Sequence, residues 1–254
     1  MRRQLDLFFM ALVFFTRIPA PAWARYSEED FHHSSRYYPV VGVLVGLIGA
    51  GLYLGAASFL PPRLAILLSM AGTVLVTGAF HEDGFADLCD GFGGGYTPQR
   101  TLEIMKDSRL GAFGAIGVFF MLAVKWCALC HLPPERLLGA LVVAHALSRA
   151  SSGTLIFSLR YVQSDAESKA KPIACEMSLP DLILCVATGV VPLFAIYGLR
   201  GWLVLGVCCA VTALSARILV QRLGGFTGDC LGAVQQLSEV AIYLVLANTA
   251  YAVC

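Results

Sequence analysis

Long apolar runs separated by short polar segments dominate the chain. Each run holds about 18–23 residues, enough for an α-helix to cross the roughly 30 Å hydrocarbon core of a bilayer. The pattern therefore predicts about seven spanning helices. The runs lie near 39–60, 63–80, 110–131, 137–158, 181–199, 202–220 and 231–253.

The first apolar segment, residues 4–16, is shorter than these runs and too short to span a bilayer. Arg2 and Arg3 precede it, as in a signal peptide, but Asp6 interrupts it and no clean small-residue cleavage site follows. We predict an N-terminal helix that lies at the membrane interface or re-enters from it.

Composition supports a membrane protein. Hydrophobic residues make up 57% of the chain and charged residues 14%, against about 25% charged in soluble domains. Mean hydropathy is +0.73, so the lipid bilayer is the expected solvent. We predict an all-α, polytopic transmembrane helical bundle that forms a single domain over residues 1–254. The net charge of +1 argues against a nucleic-acid partner, and the nine scattered cysteines indicate no disulfide framework.

Basic residues are distributed unevenly between the two sets of loops. If residues 4–16 do not cross, the N-terminal side carries twelve lysines and arginines and the opposite side three. Loops rich in Lys and Arg stay in the cytoplasm, so the longer loops are predicted to be cytoplasmic. The twelve are Arg2, Arg3, Arg17, Arg25, Arg36, Arg100, Lys106, Arg109, Arg160, Lys169, Lys171 and Arg222, and the three are Arg63, Arg136 and Arg200.

The most informative stretch is HEDGFADLCDGFGGGY, residues 81–96. Asp83, Asp87 and Asp90 have i, i+4, i+7 spacing, so they share one face if the 63–80 helix continues through them. Carboxylates about 6 Å apart repel by roughly 3 kcal/mol per pair at an effective dielectric near 20. A hard cation would relieve that repulsion, which indicates a Mg²⁺ or Mn²⁺ site. The alternative is a solvated acidic helix face.

The residues that follow the acids extend this pattern. Gly93 and Gly94 belong to a glycine run that we expect to form a loop with free N–H groups for a phosphate. Thr97 and Pro98 predict a helix start. On that helix, Asp107 lies four residues after Glu103 and is a candidate to complete the metal shell. Arg109 beside it is a candidate to bind phosphate oxygens. The alternative is a surface helix with ordinary ion pairs.

Three further polar residues stand out. Asp229 ends a second glycine-rich loop, GGFTGD at 224–229. Arg149 lies inside an apolar run, where a charge binds substrate or pairs with a buried acid. His81 adjoins the acidic cluster, and a catalytic role and an interfacial hydrogen bond are both open. Metal, phosphate-binding loops and arginines together indicate phosphoryl or nucleotidyl transfer.

The sequence HEDGFADLCDGFGGG, with the later LEIMKDSRLGAFG, resembles the signature of the cobalamin synthase (adenosylcobinamide-GDP ribazoletransferase) family. The resemblance extends to TRIP at 16–19, SR at 148–149 and GGFTGD at 224–229, so it spans nearly the whole chain. It implies a Mg²⁺-dependent, multi-pass enzyme of the bacterial cytoplasmic (inner) membrane, with its catalytic site facing the cytoplasm.

The implied reaction joins adenosylcobinamide-GDP to α-ribazole or its 5′-phosphate. The 3′-hydroxyl attacks the cobinamide-linked phosphate, GMP leaves, and adenosylcobalamin or its 5′-phosphate forms. The sequence indicates no oligomeric state.

The resemblance also implies roles for individual residues. Asp83 or His81 is expected to be the general base, and Asp229 a second-site acid or ligand. VQSDAESKAKP, after Tyr161, departs from a more glycine-containing family stretch, so substrate contacts there are not assigned. Asp83, Asp87, Asp90 and Asp107 are expected to hold the metal, and Arg17, Arg109, Arg149, Gly93 and Gly94 to contact substrate.

Two other classes of protein compete with this interpretation. A CDP-alcohol phosphotransferase would share the Asp87-x-x-Asp90-Gly91 pattern, but the Ala-Arg expected after it is missing. An ion-coupled transporter would use the acids as an ion site, but such sites lie near the middle of the membrane on broken helices.

Overall fold

The computed structural model describes residues 2–162 and 174–251, and within them the regular structure is almost entirely helical. One isolated parallel bridge joins Tyr161 to Phe226. The helices are α1 (Arg2–Phe15), α2 (Glu28–Ser34), α3 (Tyr38–Ala57), α4 (Pro62–Thr77), α5 (Phe80–Gly94), α6 (Pro98–Met105), α7 (Ala112–Cys130), α8 (Pro134–Ser158), α9 (Leu179–Tyr197), α10 (Gly201–Leu223) and α11 (Gly228–Tyr251).

The prediction of a polytopic helical bundle is confirmed. Five stretches of the described chain are long and apolar enough to cross a membrane, or six if the bent pair α4–α5 is one span. One of the five, Leu179–Leu223, is 45 residues long and contains both α9 and α10. Each of the seven predicted apolar runs coincides with one helix, namely α3, α4, α7, α8, α9, α10 and α11.

The α9–α10 stretch folds back on itself. Val186 in α9 and Ala216 in α10 line the same groove along α8. In a continuous straight helix, 30 residues would place them about 45 Å apart. The rings of Phe194 and Trp202 meet at the turn, with their centroids 4.9 Å apart. This stretch is therefore an antiparallel helical hairpin and not a single long helix.

Helix α8 lies at the centre of the bundle, with most of its residues buried. Glycines of α3 allow its backbone to approach closely. A Cβ on Gly42 would lie 2.2 Å from the carbonyl oxygen of His145, and one on Gly46 would lie 2.6 Å from Cα of Val142. Small residues permit such tight packing between membrane helices.

The α4–α5 junction corrects the predicted continuous helix. Helix α4 ends at Thr77, and Gly78 and Ala79 both adopt the left-handed conformation, with φ of 66° and 58°. The axis of α5 then departs at 87° from that of α4. Helix α5 packs mainly against α11, α7 and α6, so these helices set its direction.

Helix α1 is short, as predicted, and is not among the candidate spans. Leu7, Ala11 and Phe15 bury one of its faces. Its last turn contacts α5 through aromatic rings: Phe14 lies 5.0 Å from Phe80, and Phe15 stacks on the imidazole of His81 at 5.2 Å. The N-terminal segment therefore packs directly on the helix that carries the acidic motif.

Candidate active site

Helix α5 carries the acidic face that the sequence predicted. Asp83, Asp87 and Asp90 all lie within it; Asp83 is exposed and the other two are half-buried. The predicted common face is therefore confirmed, although the helix that presents it is separate from α4.

Asp229 joins this face from the first turn of α11. The 224–229 loop is held by the segment that follows α8: Phe226 N–H donates to the Arg160 carbonyl at 2.9 Å, and Val162 N–H donates to the Phe226 carbonyl at 3.0 Å. Across the helix interface, a Cβ on Gly84 would lie 2.8 Å from the backbone oxygen of Asp229. Only glycine permits this approach of α5 to α11.

The charged groups that act on Asp87 are all acidic. They are Asp229, Asp83 and Asp90, in decreasing order of effect. Asp229 in turn interacts with Asp83. Four carboxylates therefore lie close enough to influence one another, and a cation is the natural counter-charge.

Asp90 differs from its neighbours because both of its carboxylate oxygens accept backbone hydrogen bonds. Gly111 N–H donates to one oxygen at 2.7 Å and Gly114 N–H to the other at 2.8 Å. These amides belong to the start of α7, where N–H groups lack partners within the helix. Asp90 therefore caps α7 from a different helix.

Asp107 and Arg109 pair with each other on the surface. The guanidinium donates to the carboxylate through Nε at 3.0 Å and through Nη2 at 2.5 Å. These side-chain hydrogen bonds, followed by the Arg109 backbone N–H, lower the pKa of Asp107 to about 2. Both residues line a groove with Asp90 and Gly94. The prediction that Asp107 lies on the helix is wrong, because α6 ends at Met105, and in this conformation Asp107 is a partner of Arg109.

The residues present suit Mg²⁺, although the described residues contain no preformed group of three or more His, Cys, Asp or Glu side chains that could hold a metal. Mg²⁺ is usually bound by one or two carboxylates together with phosphate oxygens of the substrate. Asp83, Asp87 and Asp229 supply oxygen donors, and the charged groups that act on Asp87 and Asp229 are other aspartates. By charge and donor type they fit the ion better than Asp90 and Asp107, whose oxygens are already bonded.

The predicted glycine loop is wrong in conformation. Gly93 and Gly94 lie in the last turn of α5, and a Cβ on Gly93 would lie 2.3 Å from the ring of Phe113. A helix C-terminus presents carbonyl groups, so it lacks the free N–H groups on which the phosphate prediction depended. Arg222, which the sequence did not single out, caps these carbonyls by donating to those of Phe92 at 3.1 Å and Gly95 at 2.8 Å.

Arg17 lies at the opposite end of α5. Its backbone N–H donates to the Val76 carbonyl at 2.8 Å. Its side chain crosses the bend, since a Cβ on Gly78 would lie 2.7 Å from Nε of Arg17. Arg17 is exposed there, beside the bend that precedes α5. Arg109 lies beyond the other end, so the two arginines are separated by most of the roughly 22 Å length of the helix.

His81 and Arg149 lie away from the exposed acids. His81 is 3% exposed and Arg149 is 1% exposed. Arg149 donates through Nη1 to the His145 carbonyl at 2.9 Å and lies 5.7 Å from the ring centroid of Phe15. The acids that act on Arg149 are Glu239 and Glu82. This arrangement matches the buried-partner alternative for Arg149.

Sequence reasoning missed two charged residues in this buried region. Lys125 and Glu239 lie inside apolar helices and pair at 3.0 Å. Each is a charged residue within an apolar run, which is the same sequence feature that drew attention to Arg149. The 163–173 stretch, where family-type substrate contacts were left unassigned, lies outside the described residues.

Comparison with known proteins decides the family. A family model described as cobalamin-5-phosphate synthase matches residues 7–247. The chain belongs to this family. The adenosylcobinamide-GDP ribazoletransferase of Shewanella frigidimarina is 47% identical over 247 residues, which is 96% of this chain and 95% of that protein. Proteins of the same name from Shewanella oneidensis and Shewanella baltica are each 42% identical over 96% of this chain and 94% of theirs. No solved structure matches the chain.

Family membership accounts for the motifs better than the two competing classes. It covers α1 to α11, including the acidic face of α5 and the 224–229 loop. The CDP-alcohol phosphotransferase pattern extends only over the short acidic segment that ends at Gly91. The transporter alternative finds no support among these relatives, which are named for synthesis or group transfer.

Proposed function

We propose that this chain is an adenosylcobinamide-GDP ribazoletransferase. The 3′-hydroxyl oxygen of α-ribazole, or of its 5′-phosphate, forms a bond to the cobinamide-linked phosphorus of adenosylcobinamide-GDP. The bond from that phosphorus to the GMP oxygen breaks. The products are adenosylcobalamin, or its 5′-phosphate, and GMP, and the hydroxyl proton passes to a base.

One observation carries this proposal beyond family membership: Asp83, Asp87 and Asp229 converge from α5 and α11, and the charged groups that act on Asp87 and Asp229 are other aspartates. A pyrophosphate substrate brings further negative charge to the same place, so a cation is needed there. Mg²⁺ or Mn²⁺ held there would neutralise negative charge on phosphate oxygens and so favour departure of GMP. Asp87 and Asp229 are the ligands that we favour.

Asp83 is the base that the geometry favours. It is exposed on the acidic face, whereas His81 is buried behind the ring of Phe15. A general base must come within hydrogen-bond reach of the hydroxyl whose proton it accepts. Asp83 meets that requirement from the surface, and His81 requires the α1 contact to open.

The two arginines lie at opposite ends of α5, so each is placed to bind a different part of the substrate. Arg17 lies on the side of Asp83, where it can donate to the reacting phosphate through charge-assisted hydrogen bonds. Arg109 lies near the other end and, released from Asp107, can meet a more distant anionic group. The substrate is then extended along α5, with its reacting phosphorus near the Arg17 end.

The cellular placement follows from the charge of the loops. With twelve basic residues on one side and three on the other, the loop that contains α6 faces the cytoplasm. We place the chain in the cytoplasmic (inner) membrane of a bacterium, with the acidic face at the cytoplasmic surface. Both proposed substrates then reach the site without crossing the bilayer.

A reconstitution assay tests the function. The purified protein in lipid vesicles is incubated with adenosylcobinamide-GDP, α-ribazole and Mg²⁺, and GMP is measured by chromatography. We expect GMP in equimolar amount with the cobalamin product, and loss of both when EDTA removes divalent ions. The Asp87→Asn variant is the matched control for the acidic face. No GMP release from the folded wild-type protein would refute the proposal.

A further inference from the structure

A cluster of charged and amide side chains lies buried where four helices meet. Membrane proteins rarely keep ionisable groups in apolar helices unless these are paired and serve a function. Each of its members is at most 9% exposed. The buried polar cluster comprises His81 and Glu82 from α5, Lys125 from α7, His145 and Arg149 from α8, and Gln235, Gln236 and Glu239 from α11.

Hydrogen bonds connect this cluster to the helix of the candidate active site. Lys125 Nζ donates to Gln236 Oε1 at 2.7 Å and pairs with Glu239 at 3.0 Å. The Gln236 amide then donates from Nε2 to Glu82 Oε1 at 2.9 Å. Glu82 immediately precedes Asp83. A continuous chain of contacts therefore runs from α7 through α11 to α5.

Four buried polar atoms of the cluster have no partner within the described protein: His81 Nε2, Glu82 Oε2, Arg149 Nε and Gln235 Oε1. Their residues line one cavity of about 20 Å³. A water molecule needs roughly 10–15 Å³ and two to four polar partners, so this cavity is large enough for one water. Arg149 Nε donates, and Glu82 Oε2 and Gln235 Oε1 accept. This donor and acceptor pattern suits water, and the arginine argues against a metal cation.

We propose that one water molecule occupies this cavity and completes the hydrogen bonds of the buried polar cluster, which fixes the position of α5. Glu82 and Gln236 are then positioning residues for the acids of the active site. The 87° bend and the left-handed residues before α5 show that α4 does not hold it in line. The Glu82–Gln236 bond fixes its buried end. This role rests on the proposed function, but the position of α5 can be measured without activity.

A rescue experiment tests the positioning role. Gln236→Glu keeps an acceptor for Lys125 but removes the amide that donates to Glu82, and it sets two carboxylates against each other. Adding Glu82→Gln restores an amide–carboxylate hydrogen bond with the wild-type net charge. Gln221→Glu, an exposed site on α10, is the matched control for the same chemical change.

The first readout is the reactivity of the native Cys89 thiol. Cys89 lies on α5 against α7, where a Cβ on Gly117 would come within 2.7 Å of its sulfur. We expect alkylation of Cys89, relative to the exposed Cys127, to rise about threefold in Gln236→Glu as burial weakens. The rate should return to wild type in the double variant and stay unchanged in Gln221→Glu. Equal rates in all four proteins would overturn the inference.

The second readout is kinetic. In Gln236→Glu we expect kcat to fall roughly tenfold and the half-saturating Mg²⁺ concentration to rise, because displaced carboxylates bind the ion less well. A purely structural role would reduce the amount of folded enzyme and leave that concentration unchanged, which would contradict positioning. If the wild type releases no GMP, the proposed function fails, and the Cys89 rates still decide the inference.

An experimental map that resolves ordered solvent tests the water. One peak should lie within hydrogen-bond distance of Glu82 Oε2 and Gln235 Oε1. A cavity that has closed, or that holds a cation, would overturn this part of the proposal.

Discussion

At the scale of single residues, aspartates that look alike in the sequence have different surroundings. Asp83, Asp87 and Asp229 face one another, Asp90 caps a neighbouring helix, and Asp107 is held by Arg109. The same carboxylate therefore repels, caps or pairs according to its neighbours. Substitutions that remove a single charge should separate these roles.

Replacing Asp87 with Asn removes one charge from the repelling group and keeps its size. We expect stability to be unchanged or slightly higher, because like-charge repulsion falls. GMP release should fall by roughly a hundredfold or more if the carboxylate binds Mg²⁺, and extra Mg²⁺ should restore part of it. Thermal unfolding and GMP assays measure the two effects. If Asp87→Asn turns over normally at low Mg²⁺, Asp87 is not a ligand of the metal.

Replacing Asp90 with Asn should mainly lower stability, in contrast to Asp87→Asn, which should mainly lower activity. One of its two acceptor oxygens becomes an NH₂ group that faces a backbone N–H of α7. We expect the free energy of unfolding to fall by about 1–2 kcal/mol, as for loss of a helix cap. Chemical unfolding in detergent measures this. Stability equal to that of Asp87→Asn would show that the cap contributes little.

Removing the guanidinium in Arg109→Ala should raise the pKa of Asp107 from about 2 towards its ordinary 3.8. In the wild type the ion pair is complete above that ordinary value and is lost as pH falls through about 2. NMR titration of the carboxyl carbon measures the shift. Because both groups are exposed, thermal stability should stay near wild type. GMP release should fall roughly tenfold if Arg109 binds substrate, and normal release with poor stability would show a structural pair instead.

The sequence placed the acids on one helix face because helical spacing is a local property. The partners of each acid depend on tertiary contacts instead. Neither the capping of α7 by Asp90 nor the burial of His81 behind Phe15 has a local signal. Lys125 and Glu239 did have one, because each is a lone charge in an apolar run.

At the scale of elements, the apolar runs predicted the long helices well, because spanning length and hydrophobicity are read directly from residue type. The junction between α4 and α5 was not predicted. Gly78 is an ordinary helix-ending signal, but Ala79 in a left-handed conformation is not. Gly93 likewise lies in a helix and not in the predicted loop. Its missing Cβ leaves room for the ring of Phe113, which packs against α5 there.

The bend itself can be tested through Ala79. An alanine at φ 58° carries a Cβ penalty that glycine lacks. Ala79→Gly relieves this strain but gives the unfolded chain more conformational freedom, which opposes the gain. The net effect should be a rise of about 0.5–1 kcal/mol in the free energy of unfolding. Ala213→Gly, within exposed α10, should instead lower it by about 1 kcal/mol. Thermal unfolding of both variants gives the comparison, and destabilisation by Ala79→Gly would show that the side chain is needed there.

At the scale of the whole molecule, α5 carries exposed Asp83 and also contributes His81 and Glu82 to the buried polar cluster. Exposed apolar side chains such as Leu54, Phe119 and Trp202 cover the remaining surface, as expected for helices that face lipid. The sequence predicted the lipid-facing surface from composition. It did not predict the cluster, which requires four helices to be brought together.

The orientation proposed from the loop charges can be measured in intact cells. A cysteine at the exposed Thr97 should resist an impermeant maleimide added outside and react after lysis. A cysteine at the exposed Glu135, on the opposite side, should react in intact cells. Mass spectrometry of the labelled peptides separates these sites from the native cysteines. Outside labelling at Thr97 would reverse the proposed topology.

The docking of α5 on later helices also constrains biosynthesis. When α5 leaves the ribosome, α3 and α4 are already available to insert as a hairpin, but the main partners of α5, on α6, α7 and α11, have not yet been made. Helices α6 and α7 become available soon after α5, but α5 lacks its α11 partner until the last helix has been made. A chain truncated before α11 would insert most of its apolar helices and still lack the partner that holds its acidic helix in place.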